Sequence, residues 1–379
     1  TLAVLINALA LVQRARQITH EPNGIDGSNI VAIHVVPFDA AFNDKNFVQA
    51  QLKSDLAFLR NYPGVVDASV TNSFPGDVGS NSSMSVAGAP ENSGVDVGVF
   101  TADDHMLSTL GVDLVAGRNF APGDIFFSNW PPSDKTLPKE ILITRVAAKR
   151  LFADKDPLGQ SVSINGTTRT VIGIVGAYRG RNPLLGNAAS NVFLPGYLTG
   201  ASSSERLLVR VKPGTVSAMM QPLADGLLNL NNGRDIDTER PLSELLSRGN
   251  AMYAYGGLVL LSISGLLIFT TGLGIFGVAY FSVTKRRRQI GTRRALGASK
   301  ANVLQYFLLE NLLITGTGVI VGSALAIALN IQLTNLGLGR TDWAVTGLGI
   351  VFVIAISQLS VLVPAWKASQ IDPAIATRT

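Results

Sequence analysis

The stretch that decides the fold is "TKRRRQIGTRRALGASK", residues 284–300, which carries seven positive charges and no negative charge. The 36 residues 249–284 contain no charged side chain, and two further uncharged runs cover residues 311–339 and 343–366. A helix needs about 20 apolar residues to cross a bilayer. The sequence therefore predicts three membrane-spanning helices, with a strongly basic connection between the first and the second.

The overall composition also indicates a membrane protein. Of the 379 residues, 47% are hydrophobic and only 15% are charged, and the mean hydropathy is +0.30. These values are too apolar for an ordinary soluble enzyme. Cysteine is absent, which excludes disulfides, thiolate metal sites and cysteine nucleophiles.

The positive charge is unevenly distributed along the chain. Residues 14–248 hold 21 basic and 23 acidic side chains, whereas the remaining C-terminal part holds ten basic and three acidic ones. The excess basic residues therefore flank apolar segments and do not form a face on a folded domain. This pattern indicates membrane topology in contact with membrane lipid, and it argues against a nucleic-acid partner.

The same basic residues predict the orientation of the chain. Lysine and arginine collect in cytoplasmic loops of membrane proteins. This rule places residues 285–300 in the cytoplasm, together with a tail that contains Lys367 and Arg378. Residues 14–248 and the short connection at 332–342 then lie outside the membrane.

The first thirteen residues are interpreted as the outer end of a first span that begins before this chain. They are apolar, but about 20 Å of helix is too short to cross a bilayer. A signal peptide is disfavoured, because no basic n-region and no small-residue cleavage site is present.

The predicted fold class is a membrane protein with a four-helix transmembrane part, its first helix only partly present, and a large α+β extracytoplasmic domain inserted between the first two helices. The predicted segments are the outer end of the first span (1–13), the external domain (14–248), a stalk with the second span (249–284), a cytoplasmic coupling loop (285–300), the third span (301–331), an external loop (332–342), the fourth span (343–366) and a cytoplasmic tail (367–379).

The external segment alternates strand-like and helix-like patterns, which is typical of an α+β domain. "NIVAIHVV" predicts a strand, and "NDKNFVQAQLKSDLAFLRNY" predicts an amphipathic helix that ends before a Pro-Gly pair. "SVSINGTTRTVIGIVG" predicts a hairpin that turns at Asn165-Gly166. Residues 75–94 and 121–138 are rich in Gly, Ser, Asn and Pro, and they are predicted to be long surface loops.

Several of these segments resemble a known family. "RRRQIGTRRALGASKANVLQYFLLENLL" and "PAWKASQIDPAIATRT" resemble the cytoplasmic loop and the C-terminal end of FtsX/MacB-type ABC transporter permeases. "LGVDLVAGRNF", "ILITRVAAKRLFADKDPLGQSVSING" and "TRTVIGIVGAYRG" resemble the MacB-like periplasmic core domain. The matches follow the family order and touch nearly every part of the chain except its loop-rich middle.

The resemblance implies a non-catalytic permease subunit in a bacterial inner membrane. It would transmit the motion of a cytoplasmic ABC ATPase dimer to the periplasmic domain, in order to export or extrude substrate. Further partners implied are a second copy or a paralogue of the chain and a periplasmic adaptor or outer-membrane exit duct. No phosphate-binding GxxxxGK[ST] motif is present, so no cofactor is expected on this chain, and ATP and Mg²⁺ are expected on a separate ATPase.

Three alternative functions stay open. Within the family, the chain could be a lipoprotein-extracting permease. It could also be an FtsX-like scaffold that regulates a cell-wall hydrolase without transporting anything. A passive membrane-tethered binding domain is the third alternative, and it predicts that no ATPase co-purifies with the chain.

The resemblance implies that the basic loop contacts the ATPase. Arginine suits such a surface because its planar guanidinium pairs with carboxylates in a bidentate manner. A glycine near the end of the loop provides a left-handed turn before the next span. The alternative is that the loop serves only as a topology signal. The residues expected to face the ATPase are Arg288, Ile290, Gly291, Arg293, Arg294, Ala295, Leu296 and Gly297.

Other polar and glycine motifs are interpreted as structural. Gly318 and Gly322 form a GxxxG motif for helix packing. Glu310 lies in the third span and is expected to reach the inner interface or to pair with Arg293 or Arg294. No catalytic residue and no metal site is predicted, because the three histidines show no metal-ligand spacing.

Overall fold

The computed structural model describes residues 2–20, 24–76, 80–90, 93–129, 139–180, 188–199, 205–237, 241–335 and 343–371. The chain forms two compact units, here called the helical unit (Thr1–Thr19 and Met252–Thr379) and the α/β unit (His20–Ala251). The helices are α1 (Leu2–His20), α2 (Lys45–Asn61), α3 (Met106–Leu110), α4 (Arg145–Phe152), α5 (Val216–Leu230), α6 (Leu242–Lys285), α7 (Arg287–Ala295), α8 (Lys300–Asn335) and α9 (Trp343–Ser369). The strands are β1 (Ile30–Pro37), β2 (Val65–Thr71), β3 (Ser80–Val86), β4 (Val95–Ala102), β5 (Leu114–Gly117), β6 (Phe126–Asn129), β7 (Glu140–Thr144), β8 (Ser161–Ile164), β9 (Thr167–Val175), β10 (Asn191–Thr199), β11 (Glu205–Val211) and β12 (Arg234–Asp237).

The strands of the α/β unit form two sheets. One sheet has four strands in the order β12-β1-β11-β2, and its neighbouring strands are antiparallel. The other has eight strands, six of which run in the order β4-β3-β8-β9-β7-β10. Because β10 also pairs in parallel with β4, these six strands close into a ring. Strands β5 and β6 join the outside of the ring through β9 and β10.

Strand β1 shows why the four-stranded sheet is covered on both faces. Successive side chains of a strand point to opposite faces. Ile30 and Ala32 belong to a buried cluster that contains aromatic residues of the ring, whereas Val31, Ile33 and Val35 belong to the cluster beneath α2 and α5. The continuous apolar run of β1 is therefore the sequence signature of a strand that is buried between two layers.

The α/β unit also buries a group of charged residues. The guanidinium of Arg234 donates two hydrogen bonds to the carboxylate of Asp55, and both side chains are fully buried. Glu205, at the start of β11, is almost fully buried as well. The pKa of Glu205 is raised to about 8, chiefly by burial and also by the nearby carboxylate of Asp55, while Arg234 opposes the shift.

Most predicted elements of the α/β unit are confirmed. The predicted hairpin is formed by β8 and β9, and both turn residues have positive φ, 51° at Asn165 and 76° at Gly166. The predicted helix after β1 is α2, which is capped by the side chain of Asp44. The prediction of a long loop at 75–94 was wrong, because this segment contains β3, a serine-rich strand that pairs with β4 and β8.

Within the described residues, the helical unit contains three helices that are long and apolar enough to cross a membrane, namely Tyr255–Lys285, Lys300–Gln332 and Trp343–Ser369. Large apolar side chains are exposed along all three, as expected for contact with lipid. Four helices run beyond the predicted segment limits, since α1 continues to His20, α6 already begins at Leu242, α8 ends at Asn335 and α9 ends at Ser369. The predicted limits followed the charged residues, but a charge ends an apolar run without ending a helix.

Candidate functional site

The predicted coupling loop contains a short helix with a well-defined end. Helix α7 is followed by Gly297, which has a positive φ of 102°. The backbone N–H of Gly297 donates to the carbonyl of Arg294, and that of Ala298 donates to the carbonyl of Arg293. This pair of bonds is a Schellman motif, which satisfies the last carbonyls of the helix. The left-handed glycine predicted from the sequence is thus present at Gly297.

The start of the following helix is defined in the same local way. The hydroxyl of Ser299 accepts a hydrogen bond from the backbone N–H of Asn302, and α8 begins at the next residue, Lys300. Serine is a preferred N-cap residue because its side chain satisfies a free backbone donor of the first turn. The chain therefore passes from α7 into α8 within four residues, and α7 is held close to the end of the span.

One face of α7 is packed against the membrane helices. Ile290 is only 6% exposed, and Gly291 is buried beside it. Ile290 contributes to an apolar cluster with Val283 of α6, Val303 of α8 and Val361 of α9. Two of the eight residues predicted to face an ATPase therefore attach α7 to the helical unit.

Arg294 is also engaged within the helical unit. Its Nη1 donates hydrogen bonds to the carbonyl oxygens of Ser369, at 3.1 Å, and Ile371, at 2.7 Å. These carbonyls lie at the C-terminal end of α9, where a helix leaves backbone acceptors unpaired and where a cation is favoured. Arg294 thus connects α7 to the end of α9.

Glu310, the acidic residue of α8, has a basic partner that the sequence did not indicate. Glu310 accepts from Nη1 of Arg286 at 3.1 Å through each of its carboxylate oxygens. Arg286 precedes α7 and Glu310 lies ten residues into α8. The expected pairing of Glu310 with Arg293 or Arg294 is therefore wrong. Arg293 instead places its guanidinium 5.1 Å from the centre of the Tyr306 ring.

The other face of α7 and the turn after it are exposed to solvent. Leu296 is 84% exposed, the highest value among the exposed large hydrophobic residues of the described segments. Arg288, Ala295 and Gly297 are also exposed. The structure thus divides the predicted docking residues into an exposed group and an attached group. The exposed group is Arg288, Arg293, Ala295, Leu296 and Gly297, and the attached group is Ile290, Gly291 and Arg294.

The two glycines of the GxxxG motif have different surroundings. A methyl group added to Gly322 would lie 3.2 Å from Cδ2 of Leu2, so α1 packs closely against this glycine. Nothing lies within 4 Å of the same position at Gly318, which lines a cavity of about 310 Å³ among the helices. The motif therefore marks a close helix contact at one glycine and open space at the other.

A polar contact inside the helical unit was missed from the sequence. The hydroxyl of Ser357 in α9 accepts a hydrogen bond from the side-chain amide of Asn311, at 3.0 Å, and lies 2.6 Å from the hydroxyl of Thr315. Both partners belong to α8, one turn apart, so the three side chains connect α8 and α9. The one-turn spacing of Asn311 and Thr315 in an apolar helix is the signal that could have indicated it.

The α/β unit contains a second polar cluster, around Asp103. This carboxylate is fully buried and accepts hydrogen bonds from Arg60, Ser69 and Tyr197. Burial raises the pKa of Asp103, while the hydrogen bond from Ser69 and the charge of Arg60 oppose the shift. These three side-chain donors come from α2, β2 and β10, so the cluster connects three elements of the unit. Within the described segments, no group of three or more His, Asp or Glu side chains is arranged to hold a metal ion.

Comparison with known proteins covers both units. The model of the FtsX-like permease C-terminal region matches residues 261–373, and the model of the MacB-like periplasmic core domain matches residues 2–225. The ABC transporter permease YknZ of Bacillus subtilis, described as uncharacterized, is 26% identical over 291 residues, which cover 75% of this chain and 70% of the relative.

A second relative is larger than this chain. The macrolide export ATP-binding/permease protein MacB of Chromobacterium violaceum is 26% identical over 295 residues, which cover 74% of this chain and 43% of the relative. The chain thus spans less than half the length of that relative. The crystal structure of the periplasmic region of MacB from Actinobacillus actinomycetemcomitans covers 59% of this chain and 94% of its own, with 16% identity and a TM-score of 0.37.

Proposed function

Because the chain belongs to the MacB/YknZ type of FtsX-like ABC transporter permeases, we propose that it carries ATP-driven motion from cytoplasmic ATPase subunits to its α/β unit. The observation that carries the proposal is the division of α7 into an attached face and an exposed face. A docking element needs both faces, because the exposed face must bind the ATPase while the attached face transmits the displacement to the helical unit.

The proposed topology has four helices. The three apolar helices of the helical unit are the second, third and fourth spans, and α1 is the first. The α/β unit is inserted between α1 and α6 and lies in the periplasm of a bacterium, while the basic loop and the C-terminal tail lie in the cytoplasm. The membrane is the bacterial inner membrane.

The exposed face of the loop suits a protein partner. Leu296 is a large apolar side chain at the tip of the loop, and Arg288 is exposed on the adjoining helix. Interfaces gain most of their affinity from a few buried anchors, and arginine is one of the residues enriched among them. Leu296 is proposed to enter an apolar pocket of the ATPase, with arginine side chains pairing with carboxylates around it.

The attached face of α7 is proposed to pass the displacement on. Ile290 packs among three membrane helices, and Arg294 bonds to the end of α9, so α7 does not move independently of them. Helix α6 contains 44 residues, which is about 66 Å at 1.5 Å per residue. Its first residue, Leu242, is fully buried in the core of the α/β unit. A continuous helix of this length supports a mechanical role.

In this proposal, ATP is hydrolysed on other chains. ATP and Mg²⁺ are bound and used by the ATPase dimer, and this chain is a non-catalytic permease. A second copy or a paralogue completes the transmembrane part, and a periplasmic adaptor or an outer-membrane exit duct receives the exported or extruded substrate. The α/β unit is proposed to act on the substrate at the periplasmic side.

The test is to replace the exposed anchor. We expect Leu296→Glu to reduce co-purification of the ATPase with the tagged chain at least about tenfold, because a buried carboxylate in an apolar pocket is strongly disfavoured. The matched control is Val66→Glu, which places the same charge on a 60% exposed apolar residue of the α/β unit. The readout is the ratio of ATPase to permease after purification from membranes.

Two results would count against the proposal. If Leu296→Glu retained the ATPase at the level of the unmodified chain, the exposed face of α7 would not be the docking surface. If no ATPase co-purified even with the unmodified chain, a passive tethered domain would fit better. Membrane insertion of both variants is checked by resistance to extraction with alkali.

A further inference from the structure

A cavity of about 220 Å³ lies between α7 and the beginning of α8. It shares Arg293 with the exposed group of docking residues, but neither Leu296 nor Arg288 lines it. Its walls come from the residue before α7, from α7 itself, from the turn and from the first two turns of α8. The lining residues are Arg286, Gln289, Ile290, Arg293, Ala298, Asn302, Val303, Tyr306 and Phe307.

The polar part of the cavity is positively charged. Arg286 and Arg293 both line it, and none of its nine lining residues is acidic. Nη1 of Arg286 donates a hydrogen bond to Glu310, and the guanidinium of Arg293 lies over the ring of Tyr306. An arginine has five N–H donors, so these contacts leave each guanidinium able to donate to a further acceptor. The side chains of Gln289 and Asn302 add uncharged donors. The cavity is therefore suited to an anion with several oxygen acceptors.

The floor of the cavity is apolar and continuous with the membrane helices. Ile290, Val303 and Phe307 are all less than 8% exposed and belong to one apolar cluster. Val303 and Phe307 lie in the first two turns of α8, at the start of the apolar stretch Lys300–Gln332 that is long enough to cross a membrane. A ligand that fills the cavity must therefore combine an anionic group with an apolar body.

We propose that the cavity between α7 and α8 binds the phosphate group of an anionic phospholipid. The phosphodiester would accept hydrogen bonds from Arg286 and Arg293, and the glycerol backbone and the first part of an acyl chain would lie on Val303 and Phe307. Basic pockets between membrane helices are known recognition sites for acidic head groups. Tyr306 stands beside the site, at the level where aromatic residues meet the head-group region.

A carboxylate of a docked protein is the competing occupant, and the position of the cavity disfavours it. The apolar floor continues into the span, so a protein loop would have to enter the head-group region to reach both arginines. A phospholipid already has its charged and apolar parts in that order. The proposal requires that α6 and α8 cross the bilayer, but it depends neither on ATPase docking nor on which side of the membrane the loop lies.

The test measures lipid binding to the full chain in detergent. Native mass spectrometry would follow titration with phosphatidylglycerol and, separately, with phosphatidylcholine of the same acyl chains. We expect the first to bind at least about tenfold more tightly, and we expect its affinity to fall as salt is raised, since charge attraction is screened. A third arm adds inorganic phosphate alone.

Two variants and one control address the site itself. Arg293→Gln removes a lining charge, and Ala298→Leu fills the cavity while keeping both arginines. Each is expected to weaken phosphatidylglycerol binding about tenfold. The control, Arg287→Gln, removes the same charge from an exposed residue of α7 that does not line the cavity, and it is expected to bind like the unmodified chain.

The outcomes separate the possible occupants. Selective phosphatidylglycerol binding that is lost in both variants and kept in the control supports the proposal. Inorganic phosphate binding as tightly as the lipid would overturn it, because the apolar floor would then contribute nothing. Unchanged lipid binding in Ala298→Leu would also overturn it. If Ala298→Leu lost the ATPase and kept the lipid, the cavity would belong to the protein interface.

Discussion

At the scale of single residues, the buried charges of the α/β unit carry the clearest dependence on pH. Asp55 and Arg234 form a hydrogen-bonded ion pair, while Glu205 lies nearby with a pKa raised to about 8. Its folded pKa lies above the ordinary value of 4.5 for a glutamate, so the folded state favours the protonated carboxyl group. The contribution of Glu205 to the free energy of unfolding is fully present below pH 4.5 and is lost as the pH rises through about 8.

We therefore expect Glu205→Gln to stabilise the protein at pH 8.5 more than at pH 5. The uncharged amide avoids burying a charge, and the difference should be on the order of 2–4 kcal/mol in the free energy of unfolding. Thermal unfolding of the full chain in detergent at both pH values measures it. Asp154→Asn, on an exposed residue, is the matched control. Equal melting shifts at the two pH values would contradict the prediction.

At the scale of elements, α7 shows which parts of the site could be predicted from the sequence. Gly297 was predicted correctly as a helix end, and the cap at Ser299 is equally local, because both act on backbone groups within a few residues. The contact of Arg294 with Ser369 joins residues 75 positions apart, and nothing local indicates it. Local geometry was thus predictable, whereas the packing partners of each arginine were not.

The same distinction applies to the strands and glycines. Strand β1 was predicted from its apolar run, but the serine-rich β3 was assigned to a loop, since its strand conformation depends on pairing with two neighbours. Gly318 and Gly322 look equivalent in sequence, and only the position of α1 distinguishes them. The α+β class and the apolar helices were accessible from pattern alone, because they follow from periodicity and length.

The contact between α7 and α9 gives a prediction about stability. We expect Arg294→Ala to lower the free energy of unfolding of the full chain by about 1–3 kcal/mol, because two carbonyls at the end of α9 lose their donor. Arg287→Ala, on an exposed residue of the same helix, should change it little. Thermal unfolding in detergent compares the two. Equal effects of both changes would show that the contact contributes nothing.

The GxxxG motif gives a second prediction at this scale. We expect Gly322→Leu to displace α1 and to destabilise the full chain by about 1–3 kcal/mol, because the new side chain would overlap Leu2. Gly318→Leu is the matched control, since it points into open space and should be tolerated. Melting temperatures in detergent decide between them, and a larger effect at Gly318 would mean that this glycine contacts another subunit.

At the scale of the whole molecule, the proposed function depends on which side of the membrane each unit occupies. The chain has no native cysteine, so a single introduced thiol reports its own position without background. We expect Val66→Cys to react with a membrane-impermeant maleimide in intact spheroplasts. Leu296→Cys should react only after the membrane is permeabilised, although the side chain it replaces is highly exposed.

As a control, each cysteine variant is also labelled after unfolding, which establishes that both thiols can react fully with the maleimide. Labelling of Leu296→Cys in intact spheroplasts at the rate of Val66→Cys would invert the topology and would remove the basis for ATPase docking. It would not contradict the lipid proposal, because acidic phospholipids occur on both sides of the membrane and the loop could therefore bind them on either side. The two proposals are thus separable at the level of the whole molecule.

The ring of strands in the α/β unit determines when that unit can finish folding. Gly98 of β4 pairs with Asn191 of β10, so the ring closes only when segments more than 90 positions apart have met. If the α/β unit is exported through a translocon, as the proposed topology requires, the hairpin of β3 and β4 emerges long before β10 arrives. Until residue 199 has crossed, β4 presents an unpaired edge, and an unpaired edge invites aggregation. The nascent chain should therefore need a holding chaperone at this stage of export.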